Sequence, residues 1–302
     1  MCATSGPAVD EPPAPAPVPA ADGAGAGAPA DAPGGDAAAW ARLRQFTPAR
    51  IALGRTGDSL PTRALLEFSR AQAQARDAVH EASAQAEVHA QLVATGFTAL
   101  DVHSAAADRS QYLRRPDLGR RLDAPSRERL QQWTAAHRGR PLPEIVFVIA
   151  DGLSARAGAR HALPLLHALR EHLPAAAIGP VVIADLARVA LGDEIGELLG
   201  ARQVAVLIGE RPGLSAPDSL GVYLTHAPRL GRTDAERNCL SNIRPEGLGY
   251  AAAAQRLCFL MAGAVRLGRS GVDLKDDSPA LLAAEPAIGR DADAANPGNR
   301  PG

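Results

Sequence analysis

From Pro143 onward, short continuous apolar runs alternate with helix-patterned segments, and few folds accommodate that alternation. Ile145 to Ala150 contains no polar residue, as expected for a strand buried on both faces. It ends in Asp151-Gly152-Leu153-Ser154, and a helix is expected from there to about Leu173. A second run, Pro180 to Ala184, leads to an acidic helical segment, Gly192 to Leu199. A third, Val204 to Gly209, ends in Glu210-Arg211-Pro212-Gly213. A fourth, Leu220 to Thr225, precedes a polar loop and a last helix from about Leu248 to Leu267. The pattern predicts an α/β fold with a mostly parallel, Rossmann-like sheet and helices on both faces. Ligands of such sheets sit beyond the carboxyl ends of the strands.

The residues before Pro141 have a different texture. Trp40 to Gly139 reads as a smaller, mainly helical N-terminal domain with arginine-rich faces. Ser59-Leu60-Pro61-Thr62 is a helix start, because serine can accept backbone N–H bonds and proline lacks only a donor that would be unpaired there. The helix runs through Leu65, Leu66, Phe68 and Ala75; a second is expected from about Ser126 to His137, and Ala99 to Val102 as a short strand between them. The ends, residues 1–39 and 276–302, are dominated by Ala, Pro and Gly and are expected to be disordered tails. The expected division is therefore 40–140 for partner docking and 141–275 for the ligand-contacting domain.

Composition removes several functions. With aromatic residues at 3%, the core must be built from Ala, Val, Leu and Ile. A formal net charge of -1 gives no broad attraction to nucleic acid or anionic membrane. The single lysine, Lys275, lies near the expected C-terminal tail, which disfavours Schiff-base or P-loop chemistry. No uncharged apolar stretch of about 18 residues is present to span a membrane. Cys2, Cys239 and Cys258 form neither a disulfide framework nor a Cys-x2-Cys zinc signature. A reducing cytoplasm is expected. His161, His167 and His172 share a predicted helix without i,i+4 pairing; they are expected to be solvated, and no metal site is expected.

Three polar clusters are placed at the carboxyl ends: Asp151-Gly152-Leu153-Ser154, Glu210-Arg211-Pro212-Gly213-Leu214, and a loop Arg237-Asn238-Cys239-Leu240-Ser241-Asn242. Asp151 reads first as an N-cap shared with Ser154, and Glu210–Arg211 as a loop ion pair. Cys239 would be nucleophilic only if its thiolate were stabilised. Asp193, Glu194 and Glu197 read as the solvated face of a helix. Gly-x-Gly-x-x-Gly and Gly-x-Ser-x-Gly are both absent, which removes a dinucleotide turn and a nucleophile elbow. Tyr112-Leu113-Arg114-Arg115-Pro116-Asp117-Leu118-Gly119-Arg120-Arg121-Leu122 crowds guanidinium groups suited to carboxylate contacts, and reads as a docking surface for a partner chain. Asp101-Val102-His103 opens like Asp-x-His-x-x-Gly, the mark of cobalamin proteins in which histidine binds cobalt. Ala106 stands where the glycine belongs, and His103 is expected in a loop.

Several motifs in order carry a resemblance. Phe46-Thr47-Pro48-Ala49-Arg50-Ile51-Ala52-Leu53-Gly54-Arg55-Thr56-Gly57, Tyr112–Leu122, Ala150–Ser154, Gly192–Glu197, Gly209–Leu214 and Cys239–Pro245 resemble the small (light) subunit of ethanolamine ammonia-lyase, over about Trp40 to Lys275. The resemblance implies an adenosylcobalamin-dependent carbon–nitrogen lyase, active only with its large subunit, that converts ethanolamine to acetaldehyde and ammonia by radical chemistry. The large subunit would hold most of the ethanolamine site, and this chain would cover the cobalamin. The family keeps the cofactor's own base on cobalt, in line with the incomplete histidine motif. Family cobalamin contacts carry over to Val189 in the Arg188-Val189 pair, to Glu210 and to Cys239, with no catalytic residue on this chain. Ala187 stands where many members have glycine. The alternative from another class is a non-catalytic assembly subunit that binds no cofactor.

Overall fold

The computed structural model describes residues 37–277, Pro48 excepted, so most of both expected tails lies outside the described residues. The chain divides into two compact units, Met1–Leu65 and Leu66–Gly302. The first contains α1 (Ala37–Arg44) and a tight turn in which Thr56 and Ser59 exchange backbone hydrogen bonds. α2 (Thr62–His80) starts directly after Pro61, as the start signal predicts, and continues into the second unit.

One six-stranded sheet organises the second unit: β1 (Ala99–His103), β2 (Ile145–Ala150), β3 (Val181–Asp185), β4 (Gln203–Gly209), β5 (Leu220–His226) and β6 (Arg237–Ile243). Their order across the sheet is β1-β3-β2-β4-β5-β6. The first four strands are mutually parallel; β5 is antiparallel to both neighbours, so β6 runs in the direction of β4. The fold is α/β with a mixed, mostly parallel sheet. β2 is buried at all six positions, which explains its unbroken apolar run. Each such Val or Ile contributes about 1.5–3 kcal/mol on leaving water.

Six more α-helices complete the fold among the described residues: α3 (Gln85–Ala94), α4 (Arg109–Arg114), α5 (Ala124–Ala136), α6 (Ala155–Arg170), α7 (Leu191–Leu198) and α8 (Tyr250–Leu267). α3, α6 and α8 pack on one face, where Phe147, Ile183, Leu207, Leu224 and Leu257 share a core. On the other face α5 and α7 cover Val102, Val148, Val206 and Ile208. α5 begins where the Asp123 side chain accepts from the Ser126 N–H at 2.8 Å, and α8 ends at Gly268 in the left-handed region with φ 70. Among the described residues no helix is long and apolar enough to cross a membrane.

Three local expectations change. The short strand near Ala99 pairs with β3 and forms an edge of the main sheet. The polar loop around Cys239 is β6: only Arg237, Leu240 and Ile243 of its seven residues are buried, so an edge strand with one open face shows no apolar alternation. His103 ends β1 instead of lying in a loop, with Nδ1 2.7 Å from the Ser104 carbonyl oxygen.

Candidate functional site

α6 carries the chain from β2 to β3 across one face, and α7 carries it from β3 to β4 across the other. A crevice for ligands usually opens at such a reversal. Here backbone fills it. Gly152 has φ +58, and the Leu153 N–H donates to the Gly209 carbonyl at 3.0 Å. A Cβ on Gly152 would stand 2.3 Å from that carbonyl oxygen, and one on Gly209 2.0 Å from the Ser154 oxygen. The approach needs glycine on both sides and leaves no phosphate-sized gap.

Asp151 does not cap α6. The N-cap is Ser154, whose hydroxyl donates to the Pro217 carbonyl at 2.9 Å. The Asp151 carboxylate, buried at the end of β2, accepts from the Ala187 N–H at 2.9 Å and from Arg109 at 2.7 Å. A guanidinium and a buried N–H outcompete the helix terminus for it. Burial pushes its carboxyl up to about 6, against the Ala187 N–H and the Arg109 charge, while Asp185 pushes the same way as burial. Between its ordinary pKa and about 6 the folded chain binds a proton that the unfolded chain releases, so its contribution to stability falls as pH rises through that window. Asp151→Asn is expected to remove this slope. Unfolding midpoints at pH 4.5 and pH 7, compared between variant and parent, check the difference.

Glu210 follows β4 and makes no ion pair with Arg211. Its carboxylate accepts from the Ser219 hydroxyl at the end of the loop that follows it, from the Ser241 hydroxyl and, at 3.2 Å, from the Asn242 N–H. It thereby ties the end of β4 to the start of β5 and the end of β6. Cys239 stands opposite Tyr223 on β5, in line with Val206 on β4, and it is exposed on the face that α5 and α7 cover farther along the sheet. Desolvation pushes its thiol up, a hydrogen bond to Tyr223 pulls it back, and the Glu210 charge raises it again. The group is a neutral thiol at pH 7, so the nucleophilic option loses its requirement.

Val189 is half-buried in the turn between β3 and α7 and packs against the same apolar cluster as Tyr223. The structure thus places Glu210 at the end of β4 and Cys239 on β6, with β5 between them, and sets Val189 at the exit of β3, against the apolar cluster that Tyr223 joins. The Ala187 methyl is buried within that cluster, so the residue that replaces glycine adds core volume without adding surface. The Arg188 guanidinium lies 4.1 Å from the Tyr112 ring centroid, and its buried Nε has no protein partner.

Two carboxylates expected to be solvated are buried. Asp193 and Glu194 are 2% and 3% exposed. Arg237 holds Asp193 in a bidentate pair at 2.6 and 2.7 Å; Glu194 accepts from Arg127 at 2.7 Å and from the Leu122 N–H at 2.9 Å. An eight-residue helix read in isolation shows two adjacent acids; the cations that bury them come from β6 and α5. His161 is likewise buried, with Nδ1 2.8 Å from the Tyr250 hydroxyl, and α6 ends before His172. Sequence reasoning also missed Tyr112 and Arg237 as organising residues; their neighbours in the motif looked like charged surface. A cavity of about 750 Å³ lies at the opposite end of the sheet, lined in part by Phe97, Trp133, His137 and Arg170, and contains none of the site residues.

A model of the family described as Ethanolamine ammonia-lyase light chain (EutC) matches residues 37–275. The chain is 58% identical over 239 residues to a protein named Ethanolamine ammonia-lyase small subunit from Ralstonia nicotianae (strain ATCC BAA-1114 / GMI1000), covering 78% of this chain and 88% of that one. Proteins of the same name from Pseudomonas syringae pv. tomato (strain ATCC BAA-871 / DC3000) and Azotobacter vinelandii (strain DJ / ATCC BAA-1303) are each 56% identical, over 244 and 241 residues. These matches cover 80% of this chain with 84% of the first relative, and 79% with 88% of the second.

Proposed function

The chain belongs to the ethanolamine ammonia-lyase light-chain family and is a small subunit of that enzyme, and we propose that its β4–β6 face, with Val189 beside it, covers adenosylcobalamin held by the large subunit. A small subunit implies a large one. The observation that carries the proposal is the fixed Glu210 carboxylate beside exposed Cys239 and Ser241 on one open stretch of sheet.

The residues suit a corrin with amide-bearing side chains. A carboxylate has about four acceptor positions. Glu210 uses three, on donors from its own chain, which fix the group and leave one position for a peripheral amide N–H. Val189 offers an apolar edge and Cys239 a small, polarisable contact. The buried Arg188 Nε, without a protein partner, is a further donor beside Val189. When bound, adenosylcobalamin supplies homolysis of its cobalt–carbon bond, the hard step of the reaction. This chain's residues bind the cofactor's rim, orient it and exclude water. Exposed Arg114, Arg120 and Arg121, flanking the Arg115–Asp117 pair, form the surface that meets the large subunit.

The test is co-expression with the large subunit and a coupled acetaldehyde assay, with and without adenosylcobalamin. Turnover is expected only with both chains and the cofactor present. Co-purification of the two chains without cofactor-dependent turnover would instead make this chain an assembly subunit, the one alternative from a different class.

A further inference from the structure

We propose that Tyr112 and Asp151 are positioning residues that hold the Ala187–Val189 turn in the shape that presents Val189 to the cofactor. The inference rests on the cofactor-facing role of Val189 proposed above, and neither residue itself touches the cofactor.

The turn has little intrinsic reason to keep its shape. The chain leaves β3 through Leu186 at φ 51, a left-handed conformation that costs a non-glycine residue about 1–2 kcal/mol. Groups from outside the turn hold it there. The Ala187 N–H donates to the Asp151 carboxylate at 2.9 Å, the Tyr112 hydroxyl donates to the Ala187 carbonyl at 3.0 Å, and the Arg188 N–H donates to the Gly119 carbonyl at 2.8 Å. Both polar groups of Ala187, which is fully buried, are thus satisfied by side chains distant in sequence. Losing either bond leaves a buried backbone group unpaired.

The supports are joined to one another. Arg109 bonds Asp151 and stands 4.9 Å from the Tyr112 ring centroid, while Arg188 lies 4.1 Å from the same centroid and donates to the Tyr112 carbonyl at 3.3 Å. Tyr112 is fully buried between them. A Cβ at Gly119 would stand 2.9 Å from Arg188 Cγ and 3.0 Å from the Tyr112 ring, so glycine there is what lets the stack close. The arginine-rich segment therefore has two sides. Its exposed guanidinium groups face outward, and its buried Tyr112 and Gly119 build the turn. From that turn α7 starts, with the Leu191 N–H on the Arg188 carbonyl at 2.9 Å and the Gly192 N–H on the Val189 carbonyl at 3.0 Å.

The test uses the assembled two-subunit enzyme and separates half-saturation by adenosylcobalamin from kcat, from KM for ethanolamine and from the subunit ratio on purification. Tyr112→Phe removes one hydroxyl and is expected to raise half-saturating adenosylcobalamin about tenfold, the size of a lost buried hydrogen bond, with ethanolamine KM and subunit ratio unchanged. Asp151→Ala should do the same, and Asp151→Asn, which keeps a carbonyl acceptor, should do so less. Val189→Ala run alongside tests the underlying assignment. A rise for Val189→Ala with none for Tyr112→Phe or Asp151→Ala overturns the positioning role alone. No change for Val189→Ala overturns the cofactor-facing assignment and the inference with it. If Tyr112→Phe and Asp151→Asn instead lower the subunit ratio and shift both KM values together, the two residues are general structural supports and the proposal fails.

Discussion

Replacing Arg237 by alanine is expected to destabilise the chain by about 3–5 kcal/mol, the typical cost of removing one partner from a buried ion pair. For a domain of this size that corresponds to a fall in Tm of roughly 10 °C. The guanidinium is 2% exposed and saturates its surroundings: two bonds to Asp193, one to the Thr225 hydroxyl at 2.9 Å and one to the Arg232 carbonyl at 3.0 Å. It is the buried link between β6 and α7, the two elements that flank the open face. Its removal leaves Asp193 as an uncompensated buried carboxylate, a group whose pKa burial already pushes up. Asp193 then takes up a proton more readily in the folded state, so the deficit should be largest at neutral pH and shrink as pH falls. Thermal unfolding of the full-length chain at pH 5 and pH 7.5 measures both effects. A double replacement, Arg237→Leu with Asp193→Leu, should cost less than Arg237→Ala alone, because no unpaired charge stays behind. Equal stability of parent and Arg237→Ala at neutral pH would show that the pair carries no structural weight.

Glu210→Ala should raise the adenosylcobalamin concentration for half-maximal turnover of the assembled enzyme by tenfold or more. A hydrogen bond to a charged group contributes about 1.5–3 kcal/mol, and each 1.4 kcal/mol is a factor of ten in affinity. The substitution removes the acceptor offered to the cofactor and strands the Ser219 and Ser241 hydroxyls that had fixed it. Glu210→Gln retains an acceptor of the same reach and should lose less. Turnover at saturating cofactor should stay within a few-fold of the parent in both, because Glu210 binds the rim of the cofactor and takes no part in bond breaking. Cofactor titrations of the coupled acetaldehyde assay separate the two parameters. An unchanged half-saturation point in Glu210→Ala would remove Glu210 from the cofactor surface.

The strands were legible because their signals are local. Ile145–Ala150 is the observed β2, and the expected runs at Val204, Leu220 and Pro180 each fall within one or two residues of β4, β5 and β3. A strand buried on both faces excludes polar side chains, and any contiguous reading of the chain detects that. α4 escaped notice because it has only six residues, and α3 because half of its six apolar positions are alanines, which mark a helix face weakly. β6 escaped because its open face carries Cys239, Ser241 and Asn242, side chains that look like a loop. The motif order carried the family resemblance, and it singled out Glu210 and Cys239 without geometry.

Local pattern was therefore enough for the α/β class, the sequence positions of the main strands and the family resemblance. It could not decide which polar residues are buried, because burial of a charge depends on a partner that sequence distance conceals. Arg237 lies 44 residues from Asp193, Arg127 67 from Glu194, Tyr112 75 from Ala187 and Asp151 36 from Ala187. Only the sheet order β1-β3-β2-β4-β5-β6, with its change from parallel to antiparallel pairing after β4, brings these groups together. A carboxylate leaves water only where a guanidinium or an N–H meets it, and the tertiary structure alone supplies that meeting.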